Sequence, residues 1–142
     1  MVREFVYTLA AVCPYDGALS SLIMPWVDAE IMSIFLSHTA QEFSADFCLL
    51  FLDGAGWHRA RELRIPASMK LLFLPSYSPE LNPVEHLWDH IRDNYFKNLA
   101  LGSLDDVENL LVEALCNLSS QSAVVKSMTD FYWLNTVCMT SN

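Results

Sequence analysis

The 142-residue sequence lacks the features that mark several common classes of protein. No apolar run reaches the roughly 20 residues that a membrane-spanning helix needs. The four cysteines, Cys13, Cys48, Cys116 and Cys138, are far apart and include no C-x-x-C pair, which excludes both a zinc-binding pattern and a disulfide scaffold. Repeats, linkers and low-complexity tracts are absent too. We therefore expect one globular domain with reduced, mostly buried thiols and no membrane segment.

Basic residues are scarce as well. Eight lysines and arginines stand against 17 acids, and the net charge of −9 disfavours a general nucleic-acid-binding protein. Four of the eight nevertheless fall in one short segment, namely Arg59, Arg61, Arg64 and Lys70. From charge alone, this segment is either an ordinary solvated helix face or a docking site for a polyanion.

The N-terminal segment gives no sign of secretion. "MVREFVYTLAAVC" contains an acid and has neither a clean apolar core nor a cleavage site, so it does not match a signal peptide. We therefore expect a cytoplasmic protein.

The first part of the chain predicts a hairpin, a helix and a buried strand. Residues 4–13 favour a strand, "PYDG" at 14–17 has the composition of a turn, and residues 18–24 predict the returning strand. Asp28 is placed to cap a helix that runs to about Phe43. The apolar run "FCLLFLD" at 47–53 then predicts a central strand buried on both faces.

The middle of the chain adds a second buried strand and a well-marked helix. The basic stretch at 57–65 predicts a short helix, and residues 69–75 predict a strand. Asn82 is a good N-cap and Pro83 suits the first helical position. The helix that follows has one apolar stripe, formed by Val84, Leu87, Trp88, Ile91 and Tyr95.

Two more helices are predicted before the C-terminus. Ser103 and Asp106 indicate a cap for a helix at 104–117, and another helix is expected at about 120–130. Taken in order, the elements up to residue 75 are β-β-α-β-α-β. This order predicts an α/β domain with a mixed sheet.

Two carboxylates are placed where ligands bind in such folds. Asp53 ends a buried strand, and the carboxyl ends of strands form the ligand-binding edge of open α/β sheets. Glu85 lies in the first turn of the helix that the next strand feeds through a loop with prolines at 75, 79 and 83. If the strands at 47–52 and 70–74 are neighbours, the two acids leave the sheet at the same end. Paired carboxylates there suit Mg²⁺ or Mn²⁺, which support phosphodiester chemistry.

Simpler roles remain open for both acids. Glu85 falls where a capping box places its glutamate, and an acid there also favours the helix dipole. A strand-ending Asp followed by Gly is often a turn residue. A strand-ending Asp is also the nucleophile of some phosphatases, although this sequence lacks the second Asp two residues later that those enzymes use.

Two blocks of the sequence resemble a known family. "LFLDGAGWH" and "LLFLPSYSPELNPVEHLW" resemble the catalytic core of DDE-type transposases, in the bacterial insertion-sequence branch of the mariner superfamily. That family has an apolar strand ending in Asp, then small residues and His, and later an "LPxYSPxLNPxExxW" block. The 31 residues between Asp53 and Glu85 are close to the family's spacing. The hairpin segment also resembles the family, so the resemblance covers about residues 4–97.

The resemblance implies a fold, an activity and roles for particular residues. The fold is RNase H-like, with a mixed sheet flanked by helices. Asp53 matches the family's second catalytic acid and Glu85 its third, which implies that they hold Mg²⁺ or Mn²⁺ for DNA cleavage and strand transfer at the ends of an insertion sequence. The positions of the family's motif that shape its catalytic site correspond here to Asn82, Pro83 and Trp88.

Several further residues are expected at the DNA. His58 matches the family's His after the second acid, where we expect positioning or DNA contact, with simple helix-start packing still open. The basic residues of the same segment are expected to contact DNA, namely Arg59, Arg61, Arg64 and Lys70.

The sequence departs from the family at its first catalytic acid. That Asp ends a strand upstream of the hairpin, and here the only nearby Asp is Asp16, in the turn. We therefore expect a truncated catalytic domain over 1–142 that lacks its first strand and is inactive alone. Its RNase H-like core would span about 4–97 and its C-terminal helices about 103–130. The alternative is a non-catalytic module that self-associates or pairs with a full-length transposase through an exposed sheet edge.

Overall fold

The computed structural model describes residues 7–53, 61–75, 78–97 and 102–131. The chain forms two compact units. The sheet unit contains Phe5–Ala11 and Ser20–Asn82, and the helical unit contains Met1–Glu4, Val12–Leu19 and Pro83–Asn142. The single domain expected over residues 1–142 stays a prediction.

The chain begins with the predicted hairpin, formed by β1 (Tyr7–Cys13) and β2 (Ala18–Met24). Its turn closes through two hydrogen bonds. The Gly17 amide donates to the Cys13 carbonyl at 2.8 Å, and the Ala18 amide donates to Asp16 Oδ1 at 2.9 Å. Gly17 has φ +75°, a conformation that glycine adopts without steric cost. The turn residues of "PYDG" therefore act as their types predict, and the part of the strand predicted at 4–6 lies outside the described residues.

Strands β3 (Cys48–Leu52) and β4 (Met69–Phe73) form a parallel pair. Their register aligns Cys48 with Met69 and Leu52 with Phe73. Just past the pair, the Leu74 amide donates to the Leu52 carbonyl at 2.6 Å. The prediction that these strands are neighbours is confirmed, and so is the α/β class of the fold.

The prediction that the strand at 47–53 is buried on both faces is wrong. Alternate residues of a strand point to opposite faces, and Cys48, Leu50 and Leu52 contribute to the core. Phe47 and Leu49 point away from it and are 63% and 44% exposed. Within the described part of the chain the strands form two separate two-stranded sheets, so no described strand lies between two others.

Helix α1 (Ala29–Glu42) covers the core face of the parallel pair. It begins as predicted, because Asp28 Oδ1 accepts the Ile31 amide at 2.8 Å. Three buried side chains of α1 join residues of β1, β3 and β4 in one cluster, with Ala11, Met32, Phe35, Leu36, Leu52 and Met69 at its centre. This cluster is the core of the sheet unit.

The described part of the predicted basic helix is not helical. Residues 57–60 lie outside the described residues, and 61–66 form a turn and an irregular segment. The Arg64 amide donates to Ser33 Oγ on α1 at 2.9 Å. A helix at 57–65 would have directed that amide to a carbonyl four residues earlier, so a tertiary hydrogen bond has replaced the local one.

Three helices make up most of the helical unit. They are α2 (Val84–Ile91), which continues as a π-helical turn over Arg92–Phe96, α3 (Leu104–Ser119) and α4 (Ser122–Thr129). Helix α4 packs against both α2 and α3. The contacts bury one side of each helix, including Leu87, Ile91, Ala114, Leu115, Leu118 and Val125. The helices predicted at 104–117 and 120–130 are confirmed, as is the Ser103 cap, whose Oγ accepts the Asp106 amide at 3.2 Å.

Helix α2 starts one position later than predicted. Its N-cap position falls on Pro83, whose backbone is already helical, and Asn82 is extended. No described helix is both long and apolar enough to cross a membrane.

Candidate functional site

Asp53 lies at the carboxyl edge of the parallel pair. It directly follows β3, is exposed, and comes after the Leu52 carbonyl that binds the Leu74 amide. The chain leaves β4 at this same edge, through Leu74 and Pro75. The strand order therefore places Asp53 beside the start of the proline-rich loop, as the sequence predicted.

Glu85 lies in the first turn of α2 and is half-buried. A capping box would require the glutamate to accept the amide of the N-cap residue. Pro83 has no amide hydrogen, and the Asn82 amide donates to the Pro79 carbonyl at 3.0 Å. Among the described residues the side chain of Glu85 makes no hydrogen bond or ion pair. Its carboxylate is therefore available to a ligand, and the hydrogen bond that defines a capping box is not formed.

Prolines shape the loop that leads from the end of β4 to Glu85. Residues 79–81 form a 3-10 turn that begins at Pro79, and the Leu81 amide donates to the Ser78 carbonyl at 3.1 Å. Pro83 is buried and Trp88 is half-buried. Residues 76 and 77 lie outside the described ones. Fixed φ angles and packed rings restrict the path of the chain into α2.

The first turn of α2 is also held from the side. His86 Nδ1 lies 3.0 Å from the Met128 carbonyl near the end of α4, and the ring of Phe131 meets the imidazole edge-on at 5.0 Å. A carbonyl oxygen only accepts, so Nδ1 carries the proton in this bond. His86 was not among the predicted site residues. Its position after Glu85 was the only signal, because its partner lies 42 residues away.

The convergence of Asp53 and Glu85 stays a prediction, because Asp53 belongs to the sheet unit and Glu85 to the helical unit. Their carboxylate oxygens are the donors that Mg²⁺ and Mn²⁺ prefer, so the chemistry of the pair fits these ions. Within the described ranges, no group of three or more His, Cys, Asp or Glu side chains could hold a metal ion. The described chain therefore offers two candidate ligands and no complete set.

The described basic residues of the predicted patch do not share one face. Arg64 lines a shallow groove beside α1 together with Ser33, Ser37 and Gln41. Lys70 alternates with the core residues Met69 and Leu71, so its side chain lies on the sheet face that points away from α1. Arg61 is exposed on the turn before Arg64. His58 and Arg59 lie outside the described residues.

The thiols of the sheet and the hairpin are partly buried. Burial raises the pKa of the Cys13 thiol, and burial together with the nearby Asp46 carboxylate raises that of Cys48. Cys116 is exposed on α3. A raised pKa makes Cys13 and Cys48 poor nucleophiles and metal ligands at neutral pH. The prediction of buried thiols is wrong for the described cysteines, since Cys13 and Cys48 are only partly buried and Cys116 is exposed.

Comparison with known proteins identifies the family to which the chain belongs. The pattern of the DDE superfamily endonuclease family matches residues 3–108. An uncharacterized protein of Sinorhizobium fredii, y4pE/y4sA, is 38% identical over 104 residues, which is 72% of this chain and 77% of that protein. The transposable element Tcb2 transposase of Caenorhabditis briggsae is 29% identical over 84 residues, or 54% of this chain and 24% of the transposase. No solved structure matches significantly.

Proposed function

Because the chain belongs to the DDE superfamily endonucleases, we propose that it is a transposase catalytic region of an insertion sequence, with Asp53 and Glu85 as metal-binding catalytic acids. The observation that carries this proposal is the position of Asp53. It ends β3 at the edge where β4 feeds the loop that leads to Glu85. DNA cleavage is the activity of the family. Strand transfer at the ends of an insertion sequence is the more specific activity that we propose.

The two acids have distinct supports. Asp53 is positioned by β3, which directly precedes it and pairs with β4, and Glu85 by the prolines before α2 and the packing of α2 itself. Bound Mg²⁺ or Mn²⁺ ions would activate the attacking oxygen and stabilise the leaving one. The protein's part is to hold the carboxylates in a fixed geometry, since a misplaced ligand costs affinity and rate.

This sequence matches only two of the family's catalytic acids. Asp16 is the Asp closest in sequence to the missing position, and its carboxylate accepts the Ala18 amide within the hairpin turn. A carboxylate used in this way, at the end of a hairpin, fits a turn residue better than a metal ligand. We therefore propose that residues 1–142 alone do not cleave DNA, because this segment supplies two of the three catalytic acids that the family resemblance implies.

A cleavage assay tests this proposal. Labelled duplex DNA is incubated with the chain and with Mg²⁺ or Mn²⁺, alongside Glu85→Gln and the matched control Glu80→Gln, an exposed acid in the same loop. We expect no cutting or strand transfer by any of the three. Metal-dependent cutting that persists in Glu80→Gln and disappears in Glu85→Gln would disprove the proposed inactivity of residues 1–142 alone while supporting the role of Glu85.

We further propose that DNA phosphates contact the basic segment, through Arg59, Arg61, Arg64 and Lys70. His58 would have a positioning or DNA-contact role, and Asn82 would shape the site. Among the described members, Arg61, Arg64 and Lys70 are exposed. If Arg64 neutralises one phosphate, Arg64→Ala should reduce the magnitude of the negative slope of log K against log salt by about 1. An unchanged slope, measured by fluorescence anisotropy, would remove Arg64 from the interface. The location of the protein in the cytoplasm is a separate prediction, which comes from the sequence alone.

Self-association is the second candidate function, and the exposure of Phe47 and Leu49 favours it. Exposed apolar side chains on a sheet are a recognised cause of pairing between copies of a chain. We propose a second copy of this chain as the occupant of that face. Light scattering should show a dimer that Leu49→Lys dissociates. Val112→Lys is the matched control, since Val112 is 46% exposed on α3. A monomer across the micromolar range would rule this function out.

A further inference from the structure

We propose that α4 clamps the first turn of α2 through His86 and so positions Glu85, an inference that rests on the proposed role of Glu85 as a metal ligand. In this proposal His86 is a positioning residue. It acts through the hydrogen bond from Nδ1 to the Met128 carbonyl, 3.0 Å long, and not through contact with metal or DNA.

The first turn of α2 needs such a contact. Pro83 occupies the N-cap position and provides no side-chain hydrogen bond to the helix. The first amides of a helix have no carbonyl four residues earlier within it, so contacts from outside α2 add to the order of this turn. His86 is the third residue of α2, so its side chain ties this turn to α4. Glu85, in the same turn, has no partner of its own among the described residues.

Helix α4 is a firm support because it is fixed at its other end as well. At its start, the hairpin turn lies against it so closely that Gly17 faces the Ser122 carbonyl and the Lys126 amide with no room for a side chain. Its inner face is fully buried at Val125 and Thr129. The Thr129 hydroxyl donates to the Val125 carbonyl at 2.8 Å, so its burial leaves no hydroxyl unsatisfied.

The clamp belongs to a part of the chain outside the family's pattern. The family match ends at residue 108, in the first turn of α3, whereas α4 spans Ser122–Thr129. Met128 and Phe131, the two partners of His86, both lie beyond that match. The proposed support of Glu85 therefore uses residues that the family's pattern does not match.

Two substitutions at one position separate the possible roles of the imidazole. His86→Asn keeps an N–H donor at the same number of bonds from the backbone as Nδ1 and removes the ring and Nε2. His86→Phe keeps a ring that can meet Phe131 and removes the donor. Ile31→Val is the matched control, because it trims a buried methyl group in α1 of the sheet unit and leaves α2 unchanged.

The first readout is amide hydrogen exchange of the intact chain without metal. We expect His86→Phe to speed exchange in α2 by about two- to tenfold, the range that corresponds to losing one hydrogen bond. Exchange in α1 should not change, and His86→Asn should resemble the unsubstituted chain. The clamp would be overturned if amide exchange in α2 of His86→Phe were as slow as in the unsubstituted chain. It would also be overturned if His86→Phe and His86→Asn sped this exchange equally.

The second readout is the affinity for Mn²⁺ by titration calorimetry, with Glu85→Gln as reference. We expect His86→Phe to weaken Mn²⁺ binding by about two- to tenfold, His86→Asn to preserve it, and Ile31→Val to leave it unchanged. If Glu85→Gln weakens binding and His86→Phe does not, the clamp fails while the proposed function stands. If Glu85→Gln has no effect, the proposed function fails, and hydrogen exchange alone decides whether α4 clamps α2.

Discussion

Replacing Gly17 with alanine should destabilise the protein more than its small size suggests. The residue has φ +75°, where an alanine costs about 1–2 kcal/mol. A Cβ there would also overlap the Ser122 carbonyl oxygen and come within 2.9 Å of the Lys126 nitrogen. These are backbone atoms of α4 that cannot rotate aside, and overpacking of this kind costs about 1–3 kcal/mol. We therefore expect Gly17→Ala to lower the free energy of unfolding by about 2–5 kcal/mol.

Gly102→Ala is the matched control for this experiment. Gly102 does not have a positive φ, and among the described residues a Cβ there would meet only Asp106 Oδ2, at the ordinary contact distance of 3.5 Å. We expect this variant to stay within about 1 kcal/mol of the unsubstituted chain. Urea unfolding followed by circular dichroism gives both values. A Gly17→Ala variant as stable as Gly102→Ala would refute the close docking of the hairpin turn on α4.

Three further predictions test the packing of both units. Thr39→Val should cost about 1–3 kcal/mol in urea unfolding, because it strands the buried Ser20 hydroxyl 3.0 Å away, and adding Ser20→Ala should recover part of that loss. Ser103→Ala should cost about 1 kcal/mol by removing the cap of α3, and no loss would contradict that cap. Burial raises the pKa of Cys13, so a smaller fraction of this thiol is ionised at pH 8 than in a thiol of ordinary pKa. Iodoacetamide should therefore modify the partly buried Cys13 more slowly than the exposed Cys116. Equal rates of modification, measured by peptide mapping, would contradict this.

Local signals in the sequence predicted most elements of the fold. The turn composition at 14–17, the capping residues Asp28 and Ser103, and the apolar runs that became β3 and β4 each act over a few residues, and each prediction is confirmed. Such signals depend on backbone geometry and on hydrogen bonds between near neighbours. They are therefore readable before any tertiary contact is known.

Features that depend on distant partners were not predictable. The segment at 61–66 is not helical because Ser33, 31 residues before Arg64, takes its amide. The exposure of Leu49 depends on which elements cover the outer face of the sheet, and an apolar run does not reveal that. The bond from His86 to Met128 spans 42 residues.

The candidate site divides in the same way. Asp53 and Glu85 could be named from their motifs, and the structure agrees on the strand end and the helix turn that carry them. The four basic residues looked like one patch because they are close in sequence. Strand alternation nevertheless separates Lys70 from Arg64, since Lys70 points away from the face that α1 covers.

A double-mutant cycle on Mn²⁺ affinity tests the central claim, that Asp53 and Glu85 bind one divalent ion together. Calorimetry would compare the unsubstituted chain with Asp53→Asn, Glu85→Gln, the double variant and the control Glu80→Gln. If both acids ligate the same ion, each single substitution weakens binding, and the double variant loses clearly less than the sum of the two losses, with a coupling of about 1 kcal/mol or more. Additive losses, or a Glu85→Gln variant that binds as tightly as Glu80→Gln, would contradict the shared site.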